Sequence, residues 1–129
     1  MEKAKWSESL SIGNYNIDKQ HQNIIDLTNK LMDHSTAHVK AEIISETLRD
    51  LLMYYKAHFQ EEEALLIDIK YPDIDKHKKM HDGFKYKVAM FTKDVMNLKP
   101  DVVSEMIQFL SNWFIHHIST ADQDYKKYL

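Results

Sequence analysis

Four stretches of the chain carry core-type side chains at alternating steps of three and four residues, the spacing that keeps one stripe of a helix turned toward a bundle core. The second stretch is the most regular: Ile44, Leu48, Leu51, Tyr55, His58, Glu62 and Leu65. The third runs Ile74, His77, His81, Phe84, Val88, Phe91 and Val95, and the fourth Val103, Met106, Leu110, Trp113 and His117. A weaker first stripe is Ile17, His21, Ile24, Thr28 and Leu31. Between the stripes lie turn signals: Gly13-Asn14, which closes an N-terminal arm containing Trp6, then Ser35-Thr36-Ala37-His38, Tyr71-Pro72-Asp73 and Asn97-Leu98-Lys99-Pro100-Asp101. The pattern predicts helices over about Asp18 to Thr36, Lys40 to Ile67, Asp73 to Met96 and Asp101 to Ala121. Short connections between long helices make neighbours antiparallel. The expected fold is all-α, an up-down-up-down antiparallel four-helix bundle with an N-terminal arm.

Composition agrees and narrows the function. With 129 residues the chain is expected to form a single domain over residues 1–129. Only 2 Gly and 2 Pro leave too few turn residues for a sheet protein and no Gly-rich loop to cradle a phosphate. Lys plus Arg is 17 against 20 Asp plus Glu, a net charge of −3, which argues against a nucleic-acid partner and against an anionic membrane surface. Cys is 0, so there is no disulfide, no thiolate nucleophile and no cysteine-bound metal. The apolar runs are too short to span a bilayer, and the Met1-Glu2-Lys3-Ala4-Lys5-Trp6 start has no apolar signal core, so a cytoplasmic location is expected.

Histidine stands out, with 8 residues. His21, His58, Glu62, His77, His81 and His117 all fall on the core-facing registers of their helices. A buried, unpaired carboxylate costs many kcal/mol and an unsatisfied imidazole about 1–3 kcal/mol, so something must compensate. His58 with Glu62, and His77 with His81, are i,i+4 pairs that can grip one ion between them. Asp122 lies five residues after His117, a spacing that splays side chains on a regular helix, so the fourth helix must end or distort there. Glu61 and Glu63 point away from the seam. His34 and His38 straddle the polar break and are expected at the surface, and His116 is turned away from the seam. Nitrogen and oxygen ligands without sulfur suit iron, zinc, manganese or copper; seven ligands are more than one ion uses, whereas two ions bridged by the carboxylates use them all. The Glu-x-x-His motif of ferritin-like di-iron bundles is absent.

These residues resemble the hemerythrin family, most closely its single-domain bacterial members. The resemblance rests on Trp6 in the arm, Ile17-Asp18-Lys19-Gln20-His21, His58-Phe59-Gln60-Glu61-Glu62, His77-Lys78-Lys79-Met80-His81, and the segment from Trp113 through His117 to Asp122, in family order over nearly the whole chain. It implies two iron ions (Fe2+/Fe3+) with an oxo or hydroxo bridge. One iron would be held by His77, His81 and His117, the other by His21 and His58, with Glu62 and Asp122 bridging both. That count leaves one position open, on the iron with two histidines, for O2. Trp113, Phe114 and Ile118 would wall the O2 pocket; leucine is frequent in the family where Phe114 stands, so the bulkier ring bears on access.

The function expected is therefore reversible O2 binding for storage, delivery or sensing, by a protein that is not an enzyme. The alternative is a di-iron peroxidase, an oxidase or a nitric oxide-scavenging enzyme, for which Tyr55 is the nearest candidate proton donor. A regulatory domain and a structural zinc bundle are further readings; the run from Met1 to Leu129 without an output domain disfavours the former.

Overall fold

The structure, a computed structural model, describes residues 3–36, 41–96 and 101–129. Four long helices form the body: α1 (Tyr15–Thr36), α2 (Ala41–Asp68), α3 (Ile74–Met96) and α4 (Val102–Ser119). A short α5 (Ala121–Tyr125) follows, and single 3-10 turns lie at Glu8–Leu10 and Lys126–Tyr128. Each long helix packs on two neighbours, α1 on α2 and α4, and α3 on α2 and α4, closing a four-membered ring. This is the expected four-helix bundle, and no strand occurs among the described residues. The predicted Lys40 helix start, His38 and the turn over 97–100 lie outside the described residues.

Local chemistry explains where the helices differ from expectation. α1 begins three residues earlier than predicted because Asn14 caps it: Asn14 Oδ1 accepts the Ile17 N–H at 3.0 Å. Asp18 then lies inside the first turn, where its carboxylate accepts the Ile12 N–H at 2.9 Å and the Ser11 hydroxyl at 2.5 Å, tying the arm to the helix. The arm is further held by paired hydrogen bonds between Ala4 and Asn29, and by Trp6 packed on the core.

The α2–α3 corner is a Schellman turn. The Tyr71 N–H reaches the Leu66 carbonyl at 3.0 Å and the Lys70 N–H the Ile67 carbonyl at 3.1 Å, with Lys70 in the left-handed region at φ 54°. Leu66 and Tyr71 are both buried, the apolar contact that usually accompanies this motif. Pro72 and Asp73 complete the corner, and α3 starts at Ile74.

All five predicted core positions of α1, Ile17, His21, Ile24, Thr28 and Leu31, are buried. On α2 Leu51, Tyr55, His58 and Glu62 of the stripe are buried and Ile44 and Leu48 half-buried; beyond Glu62 the stripe shifts, with Leu66 buried and the predicted Leu65 half-buried. A straight helix turns about 20° per heptad away from a 3.5 repeat, so the fourth residue after Glu62 takes the seam instead of the third. On α4 the buried face is wider than one stripe and includes Val102, Ile107, Phe114 and Ile118. α4 also starts one residue after Asp101, which sits at the cap position with φ 62°.

The predicted helix through Ala121 is two helices. α4 stops at Ser119, Thr120 leaves the helical region at φ −123° and ψ −76°, and α5 begins at Ala121. The Thr120 hydroxyl and N–H both donate to the His116 carbonyl, at 2.6 and 3.1 Å, which seals the end of α4. On an unbroken helix residues five apart point about 140° from one another. The break brings Asp122 back to the face of His117.

The core has two apolar parts. The larger spans the bundle and includes Leu31, Leu51, Tyr55, Phe59, Phe84, Leu110, Phe114 and Ile118; the smaller joins Ile12, Ile17, Leu66, Tyr71 and Tyr125. The polar residues of the seams lie between them.

Replacing Lys70 by Gly should raise stability by about 1 kcal/mol, since a non-Gly side chain pays a left-handed penalty there. Urea unfolding of Lys70→Gly beside the unaltered chain reads the difference; an unchanged or lower midpoint would show the corner relaxed in solution.

Candidate metal centre

Folding brings the seven side chains marked by the sequence into one buried cluster. His21 comes from α1, His58 and Glu62 from α2, His77 and His81 from α3, His117 from α4 and Asp122 from α5. All seven are buried, and His21, Glu62, His81 and Asp122 are 0% exposed. One ligand atom each from Glu62, His77, His81 and His117 lies within 4.8 Å of the others, and the same holds for His21, His58 and Glu62, so each group could hold a metal ion.

The carboxylates join the two groups. Glu62 Oε1 is 2.7 Å from His77 Nε2 and 3.1 Å from His81 Nε2, whereas Oε2 is 3.5 Å from His58 Nε2 and 3.6 Å from His21 Nε2. Asp122 divides in the same sense: Oδ1 is 3.2 Å from His77 Nε2 and 3.1 Å from His117 Nε2, and Oδ2 is 3.2 Å from His21 Nε2. The imidazoles thus form a set of three (His77, His81, His117) and a set of two (His21, His58). Each carboxylate offers one oxygen to each set.

Hydrogen bonding alone does not satisfy this cluster. Both Asp122 oxygens and both ring nitrogens of His21 are buried without a hydrogen-bond partner, because their close contacts are poorly aligned. His81 Nε2 and His117 Nε2 share a hydrogen bond at 3.2 Å. Lone pairs converging from nitrogen and oxygen, with no sulfur, suit a cation of the iron or zinc type, which would satisfy several of them at once. The residues present fit a metal.

Outside the cluster, two histidines are held by their other nitrogens. His58 Nδ1 is 2.7 Å from Gln20 Oε1, and His81 Nδ1 is 2.8 Å from Glu63 Oε2. Gln20 is in turn hydrogen-bonded to Glu61 through its amide nitrogen. Tyr125, from α5, donates its hydroxyl to Glu62 Oε2 at 3.1 Å. Glu63 corrects an expectation: it stays out of the cluster, yet its side chain reaches across to α3 instead of pointing away. Tyr125 lies three residues after Asp122, so a helix continued past Asp122 was the signal that could have found it. Gln20 and Glu63 had no such signal, because both act on a neighbouring helix.

Aromatic rings wall the cluster. Phe59 stacks on His81 with centroids 3.9 Å apart, Trp113 stacks on His117 at 4.4 Å, and Phe114 meets His21 edge-on at 5.5 Å. Ile118 is buried in the same core as Phe114. Tyr55 packs among Phe59, Phe84 and Phe114 with its hydroxyl unpartnered, so it is not bonded to the cluster. His34 departs from the surface position expected: it is half-buried and bonds Thr47 of α2 at 3.1 Å, apart from the site. His116 is exposed.

The sequence profile of the hemerythrin HHE cation binding domain matches residues 13–129. The chain belongs to the hemerythrin family. It is 32% identical over 120 residues to the bacteriohemerythrin of Stenotrophomonas maltophilia, an alignment covering 93% of this chain and 77% of that protein. It is 30% identical over 124 residues to the bacteriohemerythrin of Clostridium acetobutylicum, covering 93% and 96%. The crystal structure of a hemerythrin mutant superposes with a TM-score of 0.87 at 28% identity, over 100% of this chain and 98% of the other. These relatives carry hemerythrin names.

In this hemerythrin-family chain, a metal bound at the cluster would compete with protons for the same atoms. Burial opposes charge on His21 and His77, but Asp122 and Glu62 beside them overcome it and raise both to about 9 from an ordinary 6.5. Burial drives His58 the other way, to about 4. Glu62 is held well below the carboxylate range, since the imidazoles of His21, His77 and His81 outweigh its burial. Asp122 is likewise lowered: burial and the Glu62 charge oppose this, and His117 and His21 prevail. Burial, then the Glu62 and Asp122 charges, push the Tyr125 phenol far up, so it remains a donor.

His21 and His77 have folded values above their unfolded ones. After chelation, their contribution to stability should therefore be fully present below about pH 6.5 and lost as the pH rises to about 9. Thermal unfolding of the chelated protein across this window should show a falling Tm. A flat profile would mean that both histidines are neutral in the folded chain.

Proposed function

We propose that this hemerythrin-family protein binds O2 reversibly at a dinuclear iron centre, for storage, delivery or sensing. The observation that carries the reading is the division of Glu62 and Asp122, each offering one oxygen to the three-histidine set and one to the two-histidine set. Carboxylates that bridge two ions have this arrangement. In this reading His77, His81 and His117 would hold one iron and His21 and His58 the other, with Glu62 and Asp122 offering an oxygen to each.

When bound, two iron ions with an oxo or hydroxo group would supply the reversible electron exchange that O2 binding requires. The protein's part is positional and electrostatic. Imidazoles ligate in their neutral form, and two carboxylates offset part of the metal charge in a buried site. Tyr125 holds Glu62 Oε2 in place. In this reading Phe114, which meets His21, and Ile118 beside it would wall the O2 pocket on the two-histidine side, whereas Trp113 lies on His117 of the three-histidine set. No helix among the described residues is long and apolar enough to cross a membrane, and a cytoplasmic location belongs to the same reading.

The test is optical. The protein loaded with Fe2+ under nitrogen should develop a visible absorption band when O2 is admitted and lose it when O2 is removed. A band that decays to a stable oxidised spectrum would favour the enzymatic alternative. Replacing His117 by Ala should abolish one of the two bound irons and lower Tm, since metal binding favours the folded state. Two irons per chain retained in His117→Ala would remove His117 from the ligand set. Acidification below about pH 5 should release the iron, because protons claim the imidazoles.

A further inference from the structure

The hydrogen bonds behind the ligands are not the same for the two sets. In the three-histidine set, the His81 Nδ1–H donates to the carboxylate of Glu63 at 2.8 Å. In the two-histidine set, the corresponding acceptor for His58 is the neutral amide oxygen of Gln20 at 2.7 Å, and His21 Nδ1 is buried with no partner. Tyr125 adds to the difference, since its hydroxyl donates to Glu62 Oε2, the oxygen nearest His21 and His58, and not to Oε1. A carboxylate accepting the outer N–H makes the opposite ring nitrogen a stronger donor to a metal, an amide does so less, and a hydroxyl bonded to a carboxylate oxygen draws electron density from it.

We propose that Glu63, Gln20 and Tyr125 are positioning residues that make the two metal positions unequal, beyond the difference in histidine count. Glu63 strengthens the three-histidine position, so that it fills first and empties last. Gln20 and Tyr125 keep the two-histidine position the weaker donor set. This rests on the dinuclear reading above.

The carboxylate and the amide are nearly isosteric, which separates charge from geometry. Glu63→Gln keeps an acceptor for the His81 N–H and removes only the charge; Gln20→Glu does the reverse at His58. The holoprotein, loaded with Fe2+ under nitrogen, is equilibrated against graded concentrations of a chromogenic Fe2+ chelator, and iron per chain is counted. The unaltered chain should release its irons in two steps of one ion each. In Glu63→Gln the later step should move to chelator concentrations about 10–100-fold lower, with the earlier step unmoved. In Gln20→Glu the earlier step should move to higher concentrations. Tyr125→Phe should strengthen the earlier step while leaving the later one in place.

A Glu63 that merely supports the fold would release iron normally as Gln, and that result would overturn the proposal. Release of both irons in a single step from the unaltered chain would also overturn it. Failure to hold two irons at all would instead overturn the dinuclear reading. Far-ultraviolet circular dichroism of each variant identifies loss of iron caused by unfolding.

Discussion

Two carboxylates and five imidazoles sit in a space from which water is excluded, and the rest of the molecule is arranged around that fact. Glu62 and Asp122, with no exposure, can be ionised only if positive charge or ligand bonds surround them. The imidazoles supply part of that charge when protonated, which is why His21 and His77 are raised while both carboxylates are lowered. Both Asp122 oxygens and both ring nitrogens of His21 nevertheless lack a hydrogen-bond partner. A metal ion would meet that need, since it binds lone pairs that protons satisfy only with directional geometry.

The bundle serves this cluster by dividing its seven residues among five helices. No two neighbouring helices carry the whole set, so the site exists only when the ring of four is closed. The apolar parts of the core lie on either side of it, with Phe59, Phe114 and Trp113 on one side and Tyr71 and Tyr125 on the other meeting the histidines ring to ring. Those rings keep water out and restrict the imidazoles to a few orientations. The break at Thr120 is the largest departure from regular helix near the site, and it turns both Asp122 and Tyr125 toward Glu62 and the histidines.

Membership of the hemerythrin family rests on the profile match and the fold, whereas the gathering of these seven residues rests on the bundle geometry. Detail surrounds the cluster as well. Phe114 meets His21 in a T-shaped contact, and the outer hydrogen bonds give His81 a carboxylate and His58 an amide.

The helices and the members of the cluster could be read from the amino-acid order because both are local properties. A period near 3.6 residues decides which side chains share a face, and His58 with Glu62 or His77 with His81 are placed together by a single turn of helix. The five-residue gap from His117 to Asp122 likewise announced a break, since a continuous helix cannot turn both side chains to one face. Periodicity says nothing of how separate helices are rotated and spaced against each other. Which Glu62 oxygen faces which histidines, the reach of Glu63 from α2 to His81 on α3, the pairing of Gln20 with His58, and the return of Tyr125 to Glu62 all depend on that packing. So does the choice of Leu66 over Leu65, where helical drift overrode the ideal repeat. The sequence by itself determined which residues would meet; only the tertiary structure decided which atoms of those residues face one another, because that is set by contacts between segments far apart along the chain.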